Sequence, residues 1–483
     1  MAQREREMRF ADRMSDHEAL MWNIEKDPWL NPSGGAIVIL DGPIDTEHFR
    51  ATMRAAIAKM PRLFERVVPG LAGLTPPAWV PDPEFDIEFH ARHVSLPAPG
   101  TDRQLFDLAT LLYQEPFDRT RPLWRFVLID GLEDGRSAMW SMMHHSISDG
   151  IGQLRMAEMY QQLSADEPAP DEVDLEGIIA AAVEEHSAKE EGGDLSRGIS
   201  SSAAKSLSHL IRRQAGLARR AAGEVAIWPA DPQRAKDSLD KITGTASSAV
   251  GDLTGSDNEV EGGSPLWKER SRHRHLEHVV VPLDELKAAS KRYGVSINDL
   301  FLTGMTEGAV RYHAQRGVSV DAFNTSFVIS TRTDNAVGGN SFAPVPVQVP
   351  GEEMELKRRV DEIGERLAAK REGASSGTAM AAVSGLAKFL PTSVLTNFAR
   401  SAAGKIDFAT SNLRGAPIDL YVSGARMESI IPMGPVAGTG CNATAMSYLN
   451  EFGIGLFIDP VAIDAPGDFR DAIDDAFVDL LAD

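Results

Sequence analysis

From about Ala165 to Gly263 the chain loses the apolar periodicity found on either side, and this interruption constrains the fold more than any other feature. It opens with Asp166-Glu167-Pro168-Ala169-Pro170 and continues through acidic Glu184-Glu185 and Glu190-Glu191-Gly192-Gly193. It turns basic from Lys205 to Trp228 and ends in a Gly/Ser-rich run through Gly244, Ser247, Gly251, Gly255 and Gly262-Gly263. Roughly one hundred residues of this texture read as a connector with helical islands, not as a layer of a core. The 483-residue chain is therefore predicted to divide into an α/β half over 1–165, a partly helical and partly flexible connector over 166–273, and a second α/β half over 274–483.

Within the first half, Ala36 to Leu40, Phe126 to Ile129 and Ser137 to His144 read as strands. Thr46 to Met60 has helical spacing, with Phe49, Met53, Ile57 and Met60 on one side, and Ile151 to Leu163 is predicted as a helix burying Met156, Met159, Tyr160 and Leu163. In the second half, Val279-Val280-Val281, Thr325 to Ser330, Val345 to Val349 and Gly453 to Ile458 read as strands. Leu286 to Tyr293 is helical with Gly294 as its stop, and Ser296 caps a helix reaching about Gln315, with Asp299 at the third helical position. Met354 to Arg371 and Phe469 to Leu481 complete the helices.

The remaining composition excludes whole classes. One cysteine, Cys441, allows no intrachain disulfide and is set in no nucleophile motif. No run of about 18 apolar residues is present, and Met1 to Arg13 is charged, so neither a spanning helix nor a secretory signal is expected. A net charge of −21 argues against a broad nucleic-acid footprint. The expected location is cytoplasmic. In the connector, Arg212, Arg213, Arg219, Arg220 and Trp228 accompany Leu207, Leu210, Ile211 and Leu217. Such a basic amphipathic helix suits an anionic membrane or lipid-droplet surface, and it equally suits a Leu face packed on the domains.

The segment His144-His145-Ser146-Ile147-Ser148-Asp149-Gly150 carries the chemistry. Histidine is the side chain whose ordinary pKa suits proton transfer at neutral pH. Gly150 permits close backbone approach or an unusual dihedral. His144, His145 and Asp149 as three metal ligands are disfavoured, because adjacent residues on a strand point to opposite faces. No resident metal or bound cofactor is expected.

The motif His-His-x-x-x-Asp-Gly resembles the signature of the coenzyme A-dependent acyltransferase superfamily, which includes peptide-synthetase condensation domains. Arg121-Pro122-Leu123-Trp124, Gly131, Gly135-Arg136, Ser296-Ile297-Asn298-Asp299, Ser330-Thr331-Arg332, Gly339-Asn340, Ser447-Tyr448, Gly453 and Asp459 to Asp468 narrow the resemblance to the bacterial wax ester synthase/diacylglycerol acyltransferase family. The chain departs from that pattern once: Ser411-Asn412-Leu413-Arg414-Gly415-Ala416-Pro417 stands where the family often has Asn-Val-Pro-Gly-Pro.

The resemblance implies two chloramphenicol-acetyltransferase-like halves facing each other across a channel that holds His145. Acyl-coenzyme A is the implied co-substrate, and diacylglycerol or a long-chain alcohol the acceptor. A peripheral place at the inner membrane face or on lipid inclusions is what the family resemblance implies. His145 is the implied general base, His144 a support, and Asp149 an arginine-paired residue that shapes the loop. Pro122, Leu123 and Trp124 are expected to shape the region around the acyl channel. Asn298 and Asp299 are expected near the site, and Arg332 in an internal ion pair. The alternatives are a condensation-type transferase fed by carrier-protein thioesters and a catalytically silent lipid-binding or droplet-coating protein.

Overall fold

A computed structural model describes residues 10–70, 76–191, 262–330, 342–374, 392–435 and 437–482. Its elements in chain order begin with α1 (Asp16–Ile24), β1 (Ser33–Leu40), α2 (Thr46–Lys59), β2 (Glu65–Val68), β3 (Ala78–Pro81), α3 (Ile87–His90), β4 (Ala91–Ser95) and α4 (Asp102–Gln114). There follow β5 (Trp124–Asp130), β6 (Ser137–His144), α5 (Gly150–Ala157), α6 (Leu175–Glu191), β7 (His275–Pro282), α7 (Leu283–Tyr293), α8 (Ile297–Ala314), β8 (Ala322–Ser330) and β9 (Phe342–Pro350). The chain closes with α9 (Leu356–Ala374), α10 (Thr392–Gly404), β10 (Phe408–Arg414), β11 (Tyr421–Val422), β12 (Ala425–Met433), β13 (Cys441–Tyr448), β14 (Glu451–Ile458) and α11 (Pro466–Ala482).

Local chemistry explains many boundaries. Asp45 starts α2 by accepting from the backbone N–H of Glu47 and His48. Ser296 and Asp299 form the anticipated reciprocal capping box on α8, and Gly294 ends α7 in the left-handed region at φ 72°. The helix anticipated over Ile151 to Leu163 ends at Ala157 instead. Gln162 and Tyr421 exchange backbone hydrogen bonds at 2.9 Å, which draws the chain into an extended bridge and leaves Leu163 exposed. The tertiary pairing outweighs the helical pattern there.

Two six-stranded sheets form the halves. The first runs β11-β12-β1-β6-β5-β4 and the second β7-β14-β13-β10-β8-β9. Ile37, Val38, Ile39 and Leu40 are buried in the interior strand β1, as their branched side chains favour. The sheets do not follow the sequence division. β12, from the 274–483 segment, pairs antiparallel with β1 from Gly35↔Met433 to Leu40↔Met427 and so completes the first sheet. It also crosses β14 closely: a Cβ at Gly455 would lie 1.8 Å from the Pro432 carbonyl oxygen, and one at Gly453 2.8 Å from that of Ile430. Backbone contact at that range admits only glycine.

Two further links tie the halves. Arg103 on α4 donates to the Leu276 carbonyl at 2.9 Å and reaches Glu277 at 3.1 Å on β7. Tyr113 on α4 meets Phe457 on β14 edge to face at 4.6 Å. Within the sequence-defined connector, α6 buries Leu175 and Ile179 against the first half, while residues 192–261 lie outside the described residues. Among the described residues, no helix is long and apolar enough to cross a membrane.

Candidate active site

Strand β6 delivers the histidine segment. His144 is its last residue, opposite Ser33 of β1, and its N–H donates to the Leu123 carbonyl at 2.9 Å. The chain then turns, and Asp149 caps α5 by accepting from the Gly152 N–H at 2.9 Å. His144, Ser146, Ile147, Ser148 and Asp149 are all buried, whereas His145 between them is partly exposed. Its Nδ1 is buried. Nε2 lies over Gly34 of β1, 3.3 Å from where a Cβ would stand, with the Met433 carbonyl of β12 3.6 Å from the same point. His145 Nε2 thus lies against the β1–β12 pairing of the first sheet.

His144 is held by hydrogen bonds at Nδ1. The Ser146 N–H donates to Nδ1 at 3.0 Å, with the Ser146 hydroxyl 2.7 Å from the same atom. That assigns the proton of the neutral ring to Nε2, which faces Glu25 Oε2 at 3.4 Å. Glu25 also accepts from Arg119 at 2.8 Å, and Arg119 stacks over Trp22 with its Cζ 3.2 Å from the ring centroid. Burial pushes the Glu25 carboxyl up, but His144 and Arg119 outweigh it and hold the group below its ordinary value. His144 is a fixed post for the turn that carries His145. Glu25→Ala would remove the carboxylate facing the buried His144 Nε2 and one of the acceptors of half-buried Arg119, and is expected to destabilise the fold by about 2 kcal/mol. A urea midpoint read beside Glu25→Gln, whose amide oxygen still accepts, checks this; an unchanged alanine midpoint would refute it.

Asp149 shapes the loop as a cap, and its charge reaches the half-buried His17 of α1. Desolvation lowers the pKa of His17 while Asp149 acts to raise it. Gly150 serves close approach: a Cβ there would lie 2.9 Å from Leu413 Cδ1, contributed by β10 of the second half. The segment that departs from the family pattern therefore packs on the histidine loop. Its Asn412 donates to Asn298 at 2.6 Å, which places exposed Asn298 at the same seam. Buried Asp299 is tied up by the Ser296 cap and by Arg371.

Pro122, Leu123 and Trp124 are core residues at the start of β5, beside β6. Trp124 Nε1 donates to the Leu63 carbonyl at 2.7 Å, and its ring stacks on His90 at 4.6 Å. Arg332, Arg212, Arg213, Arg219, Arg220 and Trp228 lie outside the described residues. Among the described residues, no group of three or more His, Cys, Asp or Glu could hold a metal ion. Burial raises the Cys441 thiol pKa far above its ordinary value, which keeps it protonated. Sequence reasoning passed over Glu25, Arg119 and Gly34. Of these only the Gly34-Gly35 pair at the start of an apolar strand carried a visible signal of close approach.

The family model described as the wax ester synthase/diacylglycerol acyltransferase catalytic domain matches residues 14–301, and the model of the C-terminal domain matches 338–481. A Mycobacterium tuberculosis protein named as a diacylglycerol O-acyltransferase is 28% identical over 452 residues, covering 92% of this chain and 87% of its own. A second from that organism is 25% identical over 459 residues, covering 93% and 91%. The solved wax ester synthase/diacylglycerol acyltransferase from Marinobacter aquaeolei VT8 superposes with a TM-score of 0.63 at 17% identity, over 97% of this chain and 98% of that one. The first condensation domain of the calcium-dependent antibiotic synthetase gives 0.56 at 14%, over 98% and 96%. These structures share the two-halved fold. With the catalytic and C-terminal models of one family spanning both halves, the chain belongs to the wax ester synthase/diacylglycerol acyltransferase family.

Proposed function

We propose that the chain moves a long-chain acyl group from acyl-coenzyme A to a lipid hydroxyl, with His145 as the general base. The observation that carries this reading is the placing of His145. It is the one partly exposed residue among buried neighbours, and its Nε2 lies where β1 and β12 meet. Nε2 takes the proton of the acceptor hydroxyl as its oxygen attacks the thioester carbonyl. The tetrahedral intermediate collapses, the C–S bond breaks, and the coenzyme A thiolate leaves with the proton returned by the imidazolium. No acyl-enzyme forms. His144 and Asp149 hold the turn and Gly150 admits Leu413, so the geometry rests on groups that stay put during the reaction.

Diacylglycerol is the first acceptor proposed, giving triacylglycerol, and a long-chain alcohol giving a wax ester is the second. Lipid substrates favour a chain acting at the inner membrane face or on lipid inclusions. The test is free coenzyme A released from palmitoyl-coenzyme A with diacylglycerol, with hexadecanol and with no acceptor, the lipids resolved by chromatography. Acceptor-dependent release with a matching ester supports the reading and ranks the acceptors. No release with any acceptor overturns it in favour of carrier-bound acyl donors or lipid binding alone.

A further inference from the structure

Coenzyme A thioesters are polyanions, and a chain of net charge −21 repels them on average. Productive approach requires a local cationic surface near the reacting atoms. Lys268, Arg270, Arg272 and Arg274 supply four cations against one carboxylate, Glu269, in the segment leading into β7.

Two of the four build the segment. Arg270 donates to the carbonyls of Gly438 at 3.1 Å and Ile406 at 3.2 Å. Arg274 is buried, donates to the carbonyls of Ser271 and His273, and lies 3.9 Å from Asp459. Ser271 is pinned in turn by its hydroxyl on Asp459 at 2.6 Å. The other two cations are exposed, and among the described residues neither Lys268 nor Arg272 has an acidic partner. Some exposed cations elsewhere are paired, as Arg50 is with Glu88, Lys357 with Asp361 and Arg358 with Glu362. A braced loop holding two unpaired cations is preorganised for an anion.

The segment is also in the right place. Leu276, two residues beyond Arg274, pairs with Phe457 of β14, and Phe457 meets the ring of Tyr113, whose hydroxyl donates to the Ser33 carbonyl at 2.9 Å. Ser33 adjoins Gly34, over which His145 Nε2 lies. We propose that Lys268 and Arg272 bind the phosphates of acyl-coenzyme A at the mouth of the seam between the halves, an assignment that rests on acyl-coenzyme A being the donor. Ammonium and guanidinium groups bind phosphate through charge-assisted hydrogen bonds.

The test uses the full chain and the double variant Lys268→Glu/Arg272→Glu, both on the surface. Rates are compared for palmitoyl-coenzyme A and for the palmitoyl thioester of N-acetylcysteamine, which has no phosphates. The expected result is a KM for palmitoyl-coenzyme A raised about tenfold with kcat largely kept, as two lost charge-assisted contacts imply. The KM for the phosphate-free thioester stays put. Equal changes for both thioesters, or none, overturn the assignment. Calorimetric binding of adenosine 3′,5′-bisphosphate, which needs no turnover, should weaken in step; no binding by the wild type also overturns it. Binding that follows these residues in a chain whose His145→Ala variant keeps full turnover would sink the catalytic reading and leave the phosphate site standing. Loss of binding to phosphatidylglycerol vesicles with an unchanged KM would give the patch to a lipid surface and overturn the assignment.

Discussion

His145→Ala is expected to lower kcat for acceptor-dependent coenzyme A release by about 10²- to 10⁴-fold, the range typical of a lost general base. KM for palmitoyl-coenzyme A should change little, because the imidazole acts on the acceptor's proton and not on the thioester's nucleotide. The fold should survive. His145 is partly exposed on a turn whose shape is set by the His144–Ser146 and Asp149–Gly152 hydrogen bonds, and the substitution touches neither. Steady-state rates beside urea unfolding separate the two quantities. A kcat within a few-fold of wild type would remove His145 from the chemistry, and a lost rate accompanied by a lost midpoint would make its role structural.

Acid is expected to weaken the fold through His90. Burial, with the Arg121 and Arg125 charges adding to it, lowers the His90 pKa to about 4 against the hydrogen bond to Trp124. Between the ordinary value of 6.5 and about 4 the unfolded chain takes up a proton that the folded chain does not. Stability therefore falls as pH falls through that window, by about 3 kcal/mol once the pH is below it. His90→Phe keeps the stack on Trp124 and Phe85 but has no proton to take up. It should be less stable than wild type at neutral pH, since the Trp124 carbonyl loses its donor, yet show a shallower decline from pH 6.5 to 4.5. Urea midpoints at three pH values decide the matter, and parallel curves would count against the assignment.

The parts of this architecture written in neighbouring residues were legible. The Ser296–Asp299 cap, the Gly294 stop, the strand entering His144 and the Asp149-Gly150 turn all depend on groups a few positions apart. What escaped depends on distant partners. Glu25 is an ordinary carboxylate at a helix end until folding sets it beside His144 and Arg119. Leu413 is one more strand residue until Gly150 makes room for it. The helix anticipated to Leu163 failed for the same reason, since its last turn was drawn away by Tyr421. Trp124 carried a family pattern, but its burial against His90 and Leu63 could be learned only from the packed core.

The lending of β12 to the first sheet has a consequence for biosynthesis. Asp41 and Arg426, paired at the end of that ladder, are 385 residues apart. While the ribosome makes the intervening chain, β1 presents Ile37, Val38 and Ile39 on an open edge, a template for non-native pairing. Contacts of such separation also form late in folding. A gene split within 192–261 would therefore yield an amino-terminal fragment prone to aggregate by itself. Expressing both fragments together in one cell supplies the missing strand.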